Sequence, residues 1–416
     1  MIFLATRNIF SPLSLLAFFN SLSFLGAIFI FLSDEKKYLL PLVTSLGMLF
    51  LGFGSFIAKN FFRLKPSFEL KKFQSQKTVS IFKQNFVLLI SLIALIFVSI
   101  LITILFFIKG APLLGKEVFV EKVLVAREGG WFYIRFLRLF LPLLLIICFV
   151  SIKPIKLRAR NFLIIFLILY LAISFTLFGY RSYILNYLLL PIIILLGFLK
   201  KNSFKLILPI LLLAFFSAFL ITAIAYHQKN IIEIFRIIFV RMTSEGIAGL
   251  DFILHTLVPQ EGFLYGKGLI MDFEAMLSRV GIIKEYKENI AQFVATKMMG
   301  ENPYGWQAGL TLMGESYLNF GFLGLILVMF IFGFLFETLY IITLRRPKDT
   351  LFFPLNIYFQ LSLLLAYGGP FLFMLLDSLG WLLIFGIFFL FFYIFFAMPT
   401  GKVHLYKYRF LNKQSI

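Results

Sequence analysis

Runs of about 20 apolar residues constrain the fold of this chain more than any other feature. A helix of that length crosses the roughly 30 Å of hydrocarbon in a membrane. The 416 residues are 61% apolar and 14% charged, whereas soluble domains have roughly 45–50% apolar and about 25% charged residues. These proportions exclude a soluble globular domain, and the high hydrophobicity excludes a disordered chain. The sequence therefore predicts a polytopic membrane protein.

Ten apolar runs are long enough to span a membrane, so we predict an all-α polytopic integral membrane protein with about ten transmembrane helices. The predicted spans are roughly 12–32, 38–57, 86–108, 131–150, 161–177, 182–199, 206–225, 316–340, 351–366 and 376–397. The first run is too long for a signal-peptide core and lacks a small-x-small cleavage site, so we expect it to be retained. The predicted organisation is transmembrane helices 1–7 in 1–225, a large, partly helical extracytoplasmic loop in 226–312, and helices 8–10 with a basic tail in 313–416.

The distribution of charge orients these spans. The chain carries 39 Lys and Arg against 19 Asp and Glu, a formal net charge of +20. With both termini cytoplasmic, the inside segments hold 22 basic and two acidic residues, and the outside segments hold 15 basic and 15 acidic residues. Basic residues accumulate on the cytoplasmic side of membrane proteins. This topology therefore explains the excess charge through membrane orientation and anionic lipid, without a nucleic-acid partner.

The predicted outer loop 226–312 holds most of the polar and titratable residues. Within it, Ile231–Met242 predicts a helix lying at the membrane interface, and Gly246–Val258 predicts a second helix. A turn-rich connector, Gly262–Gly268, leads to a polar helical pair over Asp272–Met299. Because loops longer than about 15 residues usually carry function or a small fold of their own, we expect this loop to contribute to a functional site.

Arginines near the predicted outer surface are candidate phosphate ligands. Arg181 ends a four-residue turn between two predicted spans, where a guanidinium can bind phosphate through two hydrogen bonds or anchor itself at lipid headgroups. Arg138 lies within the fourth predicted span, and Arg127 lies just outside it. These two either line a cationic entrance, or Arg138 forms a structural pair with Asp377 or Glu337.

Glu315 is the strongest candidate among the acids. It precedes Tyr317 and Asn319 at the start of the eighth predicted span. A carboxylate beside apolar side chains holds its proton more readily than in water, which suits a general base near neutral pH. The alternative is an acid that stabilises the helix start through the helix dipole.

Two further pairs of residues each contain an aspartate. Asp251 and His255 are four residues apart, so on a helix the Asp can orient the imidazole, although such a pair also occurs by chance. Asp272 and Glu274 have the spacing of a metal-binding pair but lack a third ligand nearby, which favours a solvated helix face. The lone Cys148 excludes a disulfide framework and a thiolate metal cluster. We predict neither a metal nor a cofactor.

Several short motifs match those of a known family. They are Lys109–Leu114, Arg127–Gly130, Phe178–Ser182, Asn302–Trp306, Gly314–Gly321 and Phe322–Gly324. With these motifs, and with one large outer loop before the last few helices, the chain resembles the Wzy-type oligosaccharide repeat-unit polymerases of O-antigen and capsule synthesis, which are related to the O-antigen ligases. The resemblance covers nearly the whole chain.

The resemblance implies a GT-C-like helical glycosyltransferase of the bacterial inner membrane, working without metal or nucleotide sugar. It implies that the growing glycan moves from its polyprenyl pyrophosphate to a hydroxyl of the next lipid-linked unit, with Arg181 and Glu315 as catalytic residues. The predicted substrate-binding residues are Arg127, Arg138, Arg241, Arg279, Tyr304 and Asn319. Expected partners are the lipid-linked donor and acceptor, membrane lipid, a chain-length regulator and a flippase.

The chain also departs from this family, and two other functions stay open. No loop arginine is followed eleven residues later by Gly, and Leu376 rather than Arg precedes Asp377. An O-antigen ligase of the same superfamily would rely on a loop histidine, for which His255 is the candidate. A transporter or flippase would need mid-membrane acids and broken helices in repeated halves, whereas the predicted spans contain only Arg135, Arg138, Glu337 and Asp377 as charged residues.

Overall fold

The computed structural model describes residues 11–62, 72, 85–115, 118, 121, 142, 146, 158–179, 184–199, 204–241, 243, 246–279, 281–302, 305–345 and 352–392. All regular elements within these residues are helical. The helices are α1 Pro12–Ser33, α2 Leu39–Phe61, α3 Asn85–Lys109, α4 Arg158–Leu177, α5 Leu190–Leu199, α6 Phe204–Ala225, α7 Ile231–Val240, α8 Gly246–Phe252, α9 Val258–Glu261, α10 Lys267–Arg279, α11 Ile290–Met299, α12 Leu312–Arg345, α13 Phe352–Tyr367 and α14 Phe371–Phe392. Short 3₁₀ turns are found at Glu35–Lys37 and Pro112–Leu114, and π-helical segments at Ile184–Leu189 and Ile253–Leu257.

Three of the described helices are long and apolar enough to cross a membrane: Pro12–Ser33, Glu35–Phe61 and Leu312–Arg345. Shorter apolar helices accompany them, including Phe353–Tyr367 and Phe371–Gly380. The protein is therefore a membrane protein that is helical throughout its described regular elements, as predicted, and the count of ten spans stays a prediction. The chain divides into two compact units, Met1–Ser378 and Leu379–Ile416.

Helices α2 and α12 form the most extensive helix pair of the described residues. Glycines allow their backbones to approach closely, because a Cβ on Gly54 would overlap the carbonyl oxygen of Phe330 and a Cβ on Gly333 would overlap that of Leu51. Small residues permit this backbone contact between helices in membranes. The two helices run parallel, and α12 begins beside the 226–312 segment. We call this end of the helices the loop end.

A buried ion pair joins α2 and α12 near their opposite end. Lys59 Nζ lies 3.7 Å from Glu337 Oε1, and Ser55 Oγ donates to Glu337 Oε2 at 3.2 Å. Lys59 is one of the 22 basic residues that the charge distribution assigned to the inside segments, but its side chain is buried with Glu337. A carboxylate enclosed between apolar helices requires such a counter-charge, because desolvation without a partner costs several kcal/mol.

Helix α12 is broken at Gly321. This residue has φ 64° and ψ −150°, a backbone conformation that residues with a Cβ rarely adopt. The break takes two carbonyl oxygens out of the helical ladder, and the connector before α10 satisfies them. Leu264 N donates to Leu318 O at 3.0 Å, and Tyr265 N donates to Asn319 O at 2.9 Å. The break therefore fixes the connector against the first turns of α12.

Helix α7 has the surface that the predicted interface helix requires. Its buried side, with Ile234 and Ile238, faces the protein. The exposed apolar residues on its other side are Ile231, Ile232, Phe235, Phe239 and Val240. Phe235 also contacts the Phe215 ring of α6, with 5.6 Å between ring centroids, so α7 lies along the apolar surface of a neighbouring helix.

The α2–α12 contact predicts that Gly333→Ala destabilises the protein. An added methyl group must displace the α2 backbone at Leu51, and overpacking of this kind costs about 1–3 kcal/mol. The melting temperature of the detergent-purified variant should fall below that of the wild type. Gly368→Ala is the matched control, because its Cβ would make an ordinary 3.8 Å contact with Leu365 O. Equal stability of the two variants would contradict backbone contact at Gly333.

Candidate active site at the loop end of helix α12

Glu315 lies in the first turn of α12 and is 2% exposed. Its Oε2 accepts a hydrogen bond from the backbone N–H of Phe371 at 2.8 Å. Phe371 is the first residue of α14, where backbone N–H groups lack partners within the helix. The carboxylate therefore caps the start of α14, a helix other than its own, where a negative charge is favoured by the helix dipole.

Asp272 lies beside this contact and joins two more elements. It is fully buried on α10. Its Oδ1 accepts from Ile290 N at 3.0 Å, and its Oδ2 accepts from Phe373 N at 3.2 Å. Ile290 begins α11 and Phe373 lies in the first turn of α14. One carboxylate thus holds the starts of two helices together.

Asn319 completes the group from the second turn of α12. Its Oδ1 accepts from Gly268 N, at the start of α10, at 3.1 Å. Its Nδ2 donates to the Glu315 carbonyl oxygen at 2.9 Å. Position 268 requires glycine, because a Cβ there would lie 2.8 Å and 2.9 Å from the two amide atoms of Asn319. We call Glu315, Asp272 and Asn319 the capping cluster.

The capping cluster gathers the N-termini of α10, α11 and α14. Each helix start carries a partial positive charge, which the two carboxylates and the amide oxygen offset. Arg279, at the end of α10, adds a full positive charge near this group. Its guanidinium lies 4.2 Å from the centroid of the Phe373 ring and attracts the carboxylate of Asp272. The predicted residues Glu315, Asn319 and Arg279 are therefore brought together in the structure.

Burial changes the acidity of Asp272. It raises the pKa of this carboxyl to about 6, from an ordinary value of 3.8. The amide hydrogen bonds from Ile290 and Phe373 and the charge of Arg279 oppose the increase, because each of them favours the ionised form.

A second polar group lies on α8 and the π-helical segment that follows it. His255 Nδ1 is 2.9 Å from Asp251 Oδ1, and Lys37 Nζ donates to Asp251 Oδ2 at 2.7 Å. The predicted pairing of Asp251 with His255 is confirmed. When Nδ1 donates to Asp251, Nε2 is the basic nitrogen, and it has no hydrogen-bond partner among the described residues. Single π-helical turns are frequent at functional sites.

Among the described residues, one further predicted site residue, Arg241, lies outside the capping cluster. Arg241 follows α7, where its guanidinium lies 5.0 Å from the centroid of the Tyr226 ring. Four predicted positions lie outside the described residues, namely Arg127, Arg138, Arg181 and Tyr304.

Sequence reasoning missed the role of Asp272. It was assigned to a solvated face with Glu274, but the two residues are two positions apart on α10 and lie on different faces. Asp272 faces the protein with Gly268 and Ala275. Gly268 lies four residues before Asp272 and Ala275 lies three residues after it, so the three residues share one side of the helix. This spacing of small residues was the sequence signal for a buried face. Within the described residues, no three His, Cys, Asp or Glu side chains are grouped to hold a metal ion.

The sequence matches one known protein family over most of its length. Residues 8–369 match the model of the family described as "Putative O-antigen polymerase". The chain belongs to the O-antigen polymerase family. Membership indicates a polymerase-type role in O-antigen synthesis, a glycosyltransferase-like enzyme and lipid-linked oligosaccharide substrates in a bacterial membrane. No curated protein and no solved structure matches the chain significantly.

Asp272→Asn is predicted to remove a pH-dependent contribution to the stability of this O-antigen polymerase family member. Because folding raises the pKa of Asp272, the fold favours the protonated form. The stabilisation that protonated Asp272 gives to the fold is complete below about pH 4, and it is lost as the pH rises through about 6. Asn resembles the protonated acid at every pH. In melting curves of purified protein, the wild type should lose stability relative to the variant over this interval.

Glu315 and Arg279 are the charged groups that face Asp272, and both are retained in the variant. Glu274→Gln is the control, since it removes a carboxylate from another face of the same helix and should follow the wild-type pH dependence. A constant difference between wild type and Asp272→Asn from pH 4 to 8 would show that Asp272 has no raised pKa.

Proposed function

We propose that this protein polymerises polyprenyl-pyrophosphate-linked oligosaccharide repeat units on the outer face of the bacterial inner membrane. The family match over residues 8–369 carries this proposal. The capping cluster supports it, because it places carboxylates and Arg279 at the loop end of a membrane-spanning helix. In the proposed topology this end is extracytoplasmic, and both termini are cytoplasmic.

The proposed step is the transfer of the growing glycan to a sugar hydroxyl. The acceptor oxygen forms a bond to the anomeric carbon of the donor, and the bond from that carbon to the pyrophosphate oxygen breaks. The lipid pyrophosphate leaves with the electron pair, and the hydroxyl proton passes to a carboxylate. Glu315 is the proposed acceptor of this proton, since the Phe371 amide holds its Oε2 and fixes the direction of Oε1.

Arginines stabilise the leaving group in this proposal. Negative charge develops on the pyrophosphate during bond breaking, and fixed cations lower the energy of that state. Arg279 is held beside the capping cluster by Phe373, and Arg181 and Arg241 are the other proposed pyrophosphate ligands. Arg127 and Arg138 are proposed to guide the anionic substrate, and Asn319 and Tyr304 to orient sugar.

The Asp251–His255 pair favours a second candidate, an O-antigen ligase. Asp251 orients the imidazole at 2.9 Å, and Lys37 in turn holds Asp251. An imidazole fixed in this way can take a proton from an acceptor hydroxyl. A ligase would use it to join finished glycan to a lipid core instead of extending the chain.

Deletion of the gene, with the surface and lipid-linked glycans resolved on a gel, separates these functions. Collapse of the glycan ladder to single repeat units would support polymerisation. Full-length polymer that stays on the lipid carrier would identify a ligase. An unchanged glycan profile would contradict both, and would direct the next experiments to transport.

Glu315→Gln should abolish chain extension in complementation of the deletion strain. The Gln carbonyl oxygen can still accept from Phe371 N, but the amide cannot take a proton. Loss of a general base typically reduces rates by about 100-fold or more, so the ladder should shorten to single repeat units. Membrane insertion and melting temperature should stay near the wild-type values.

Two further variants serve as controls for Glu315→Gln. Glu274→Gln removes an acid from another face of α10 and should leave the ladder intact. His255→Gln tests the alternative base. Loss of the ladder in His255→Gln but not in Glu315→Gln would assign proton transfer to the histidine and contradict the role of Glu315.

A further inference from the structure

Helix α10 has three distinct faces. Gly268, Asp272 and Ala275 form its buried face. Lys267, Glu274 and Ser278 are spaced seven and four residues apart, which places them along one polar line of the helix. Between these faces lies a third face formed by Leu269, Ile270 and Phe273, with Ile270 59% and Phe273 49% exposed. The sequence predicted only a polar helix here.

A surface of this kind is unusual beside water. Exposed apolar groups clustered on one side of a helix mark contact with a membrane or a partner. A helix with one apolar side and a flanking polar line is the type that lies in a membrane interface. The face therefore requires an occupant, and the neighbouring helix indicates which one.

The apolar face of α10 begins beside a lipid-facing stripe of α12. This stripe consists of Leu323, Leu327, Ile331 and Leu335, each at least 49% exposed and four residues apart. It lies on a helix long and apolar enough to span the membrane. Because the residues on the opposite side of α12 are buried, the stripe is the side of that helix that is open to acyl chains.

The connector fixes α10 at the loop end of this stripe. Tyr265 N donates to Asn319 O at 2.9 Å. A Cβ on Gly266 would lie 3.3 Å from the ring of Phe320, and that ring is itself 45% exposed. The connector immediately before α10 thus lies against Asn319 and Phe320, just ahead of the first stripe residue, Leu323. Tyr265 is 77% exposed, and exposed tyrosines are enriched at the membrane–water boundary.

We propose that α10 is an interfacial helix whose Leu269, Ile270 and Phe273 insert among the acyl chains of the membrane leaflet at the loop end. Lys267 and Glu274 face the headgroups and water. In this placement the apolar surface of α10 lies next to the loop end of the α12 stripe.

This placement brings the capping cluster close to lipid. Asp272 lies on the buried face of the same helix, and a helix with its side chains is about 10–12 Å across. Lipid on one side of α10 is therefore about one helix diameter from the carboxylates on the other. If the proposed function holds, a lipid-anchored pyrophosphate reaches the cluster from within the plane of the membrane. The insertion itself does not depend on the reaction.

The insertion can be measured with single-cysteine variants labelled with an NBD fluorophore. Cys148→Ser supplies the background, and the glycan ladder of a complemented strain verifies that it is active. Ile270→Cys and Phe273→Cys are the test positions. Leu327→Cys on the stripe is the lipid control, Glu274→Cys is the polar-line control on the same helix, and Lys284→Cys is the water control.

The labelled proteins are reconstituted into vesicles of phosphatidylethanolamine and phosphatidylglycerol. Labels at 270 and 273 should show blue-shifted emission, quenching by lipids brominated on their acyl chains, and protection from aqueous iodide, as at 327. Labels at 274 and 284 should be quenched by iodide. Two test positions are used so that failure of one variant to fold leaves the other informative.

Three results would overturn the proposal. Iodide quenching at 270 and 273 equal to that at 284 would place the face in water. Protection from both quenchers would mean that protein covers it, either another segment or a second copy. Loss of bromolipid quenching on addition of polyprenyl phosphate would make the isoprenoid the occupant. Quenching reports how deeply each label lies in the membrane, so the result does not depend on polymerase activity.

Discussion

The break in α12 at Gly321 is the constraint on which the site depends. A continuous helix would use the carbonyl oxygens of Leu318 and Asn319 within its own ladder. With the ladder interrupted, these oxygens accept from Leu264 and Tyr265 instead, since unpaired backbone groups are costly inside a protein or membrane. The connector is therefore bound to α12 through its backbone, and it determines where α10 starts. Asp272 reaches the starts of α11 and α14 because α10 starts there.

The capping cluster shows how two carboxylates can be buried side by side. Each accepts hydrogen bonds from helix N-termini, whose N–H groups would otherwise lack partners. The partial positive charge at these helix starts also stabilises the negative charge of the carboxylates. Arg279 adds a positive charge from the same helix as Asp272. This arrangement differs from the Lys59–Glu337 pair at the other end of α12, where a full counter-charge within 3.7 Å meets the carboxylate. At the loop end the carboxylates instead accept hydrogen bonds from neutral backbone amides.

Local features of the sequence predicted part of this structure. Apolar runs and their charged flanks predicted helices at most of the observed positions, and spacing by four residues predicted the contact between Asp251 and His255. Glu315 and Asn319 were identified from their motif. The capping of α14 by Glu315 could not be predicted, because the bond to Phe371 joins residues 56 positions apart and depends on how three helices meet. Lys59 was misassigned for the same reason, since its partner Glu337 is distant in the chain.

The sequence predicted a polar helix for α10 because the segment was judged by its average polarity and not face by face. Lys267, Asp272 and Glu274 make the segment appear polar, yet only two of these three charges lie on the polar line, and the third is buried. The apolar residues between them are left exposed, which is unfavourable in water and favourable in a membrane interface. Helix α7 likewise has a buried side and an exposed apolar side.

Loop helices of this kind resolve a difficulty for any enzyme that handles a lipid-linked sugar: the reacting groups are polar, whereas the lipid anchor cannot leave the hydrocarbon. A helix with carboxylate chemistry on one face and lipid contact on another brings the two environments within one helix diameter.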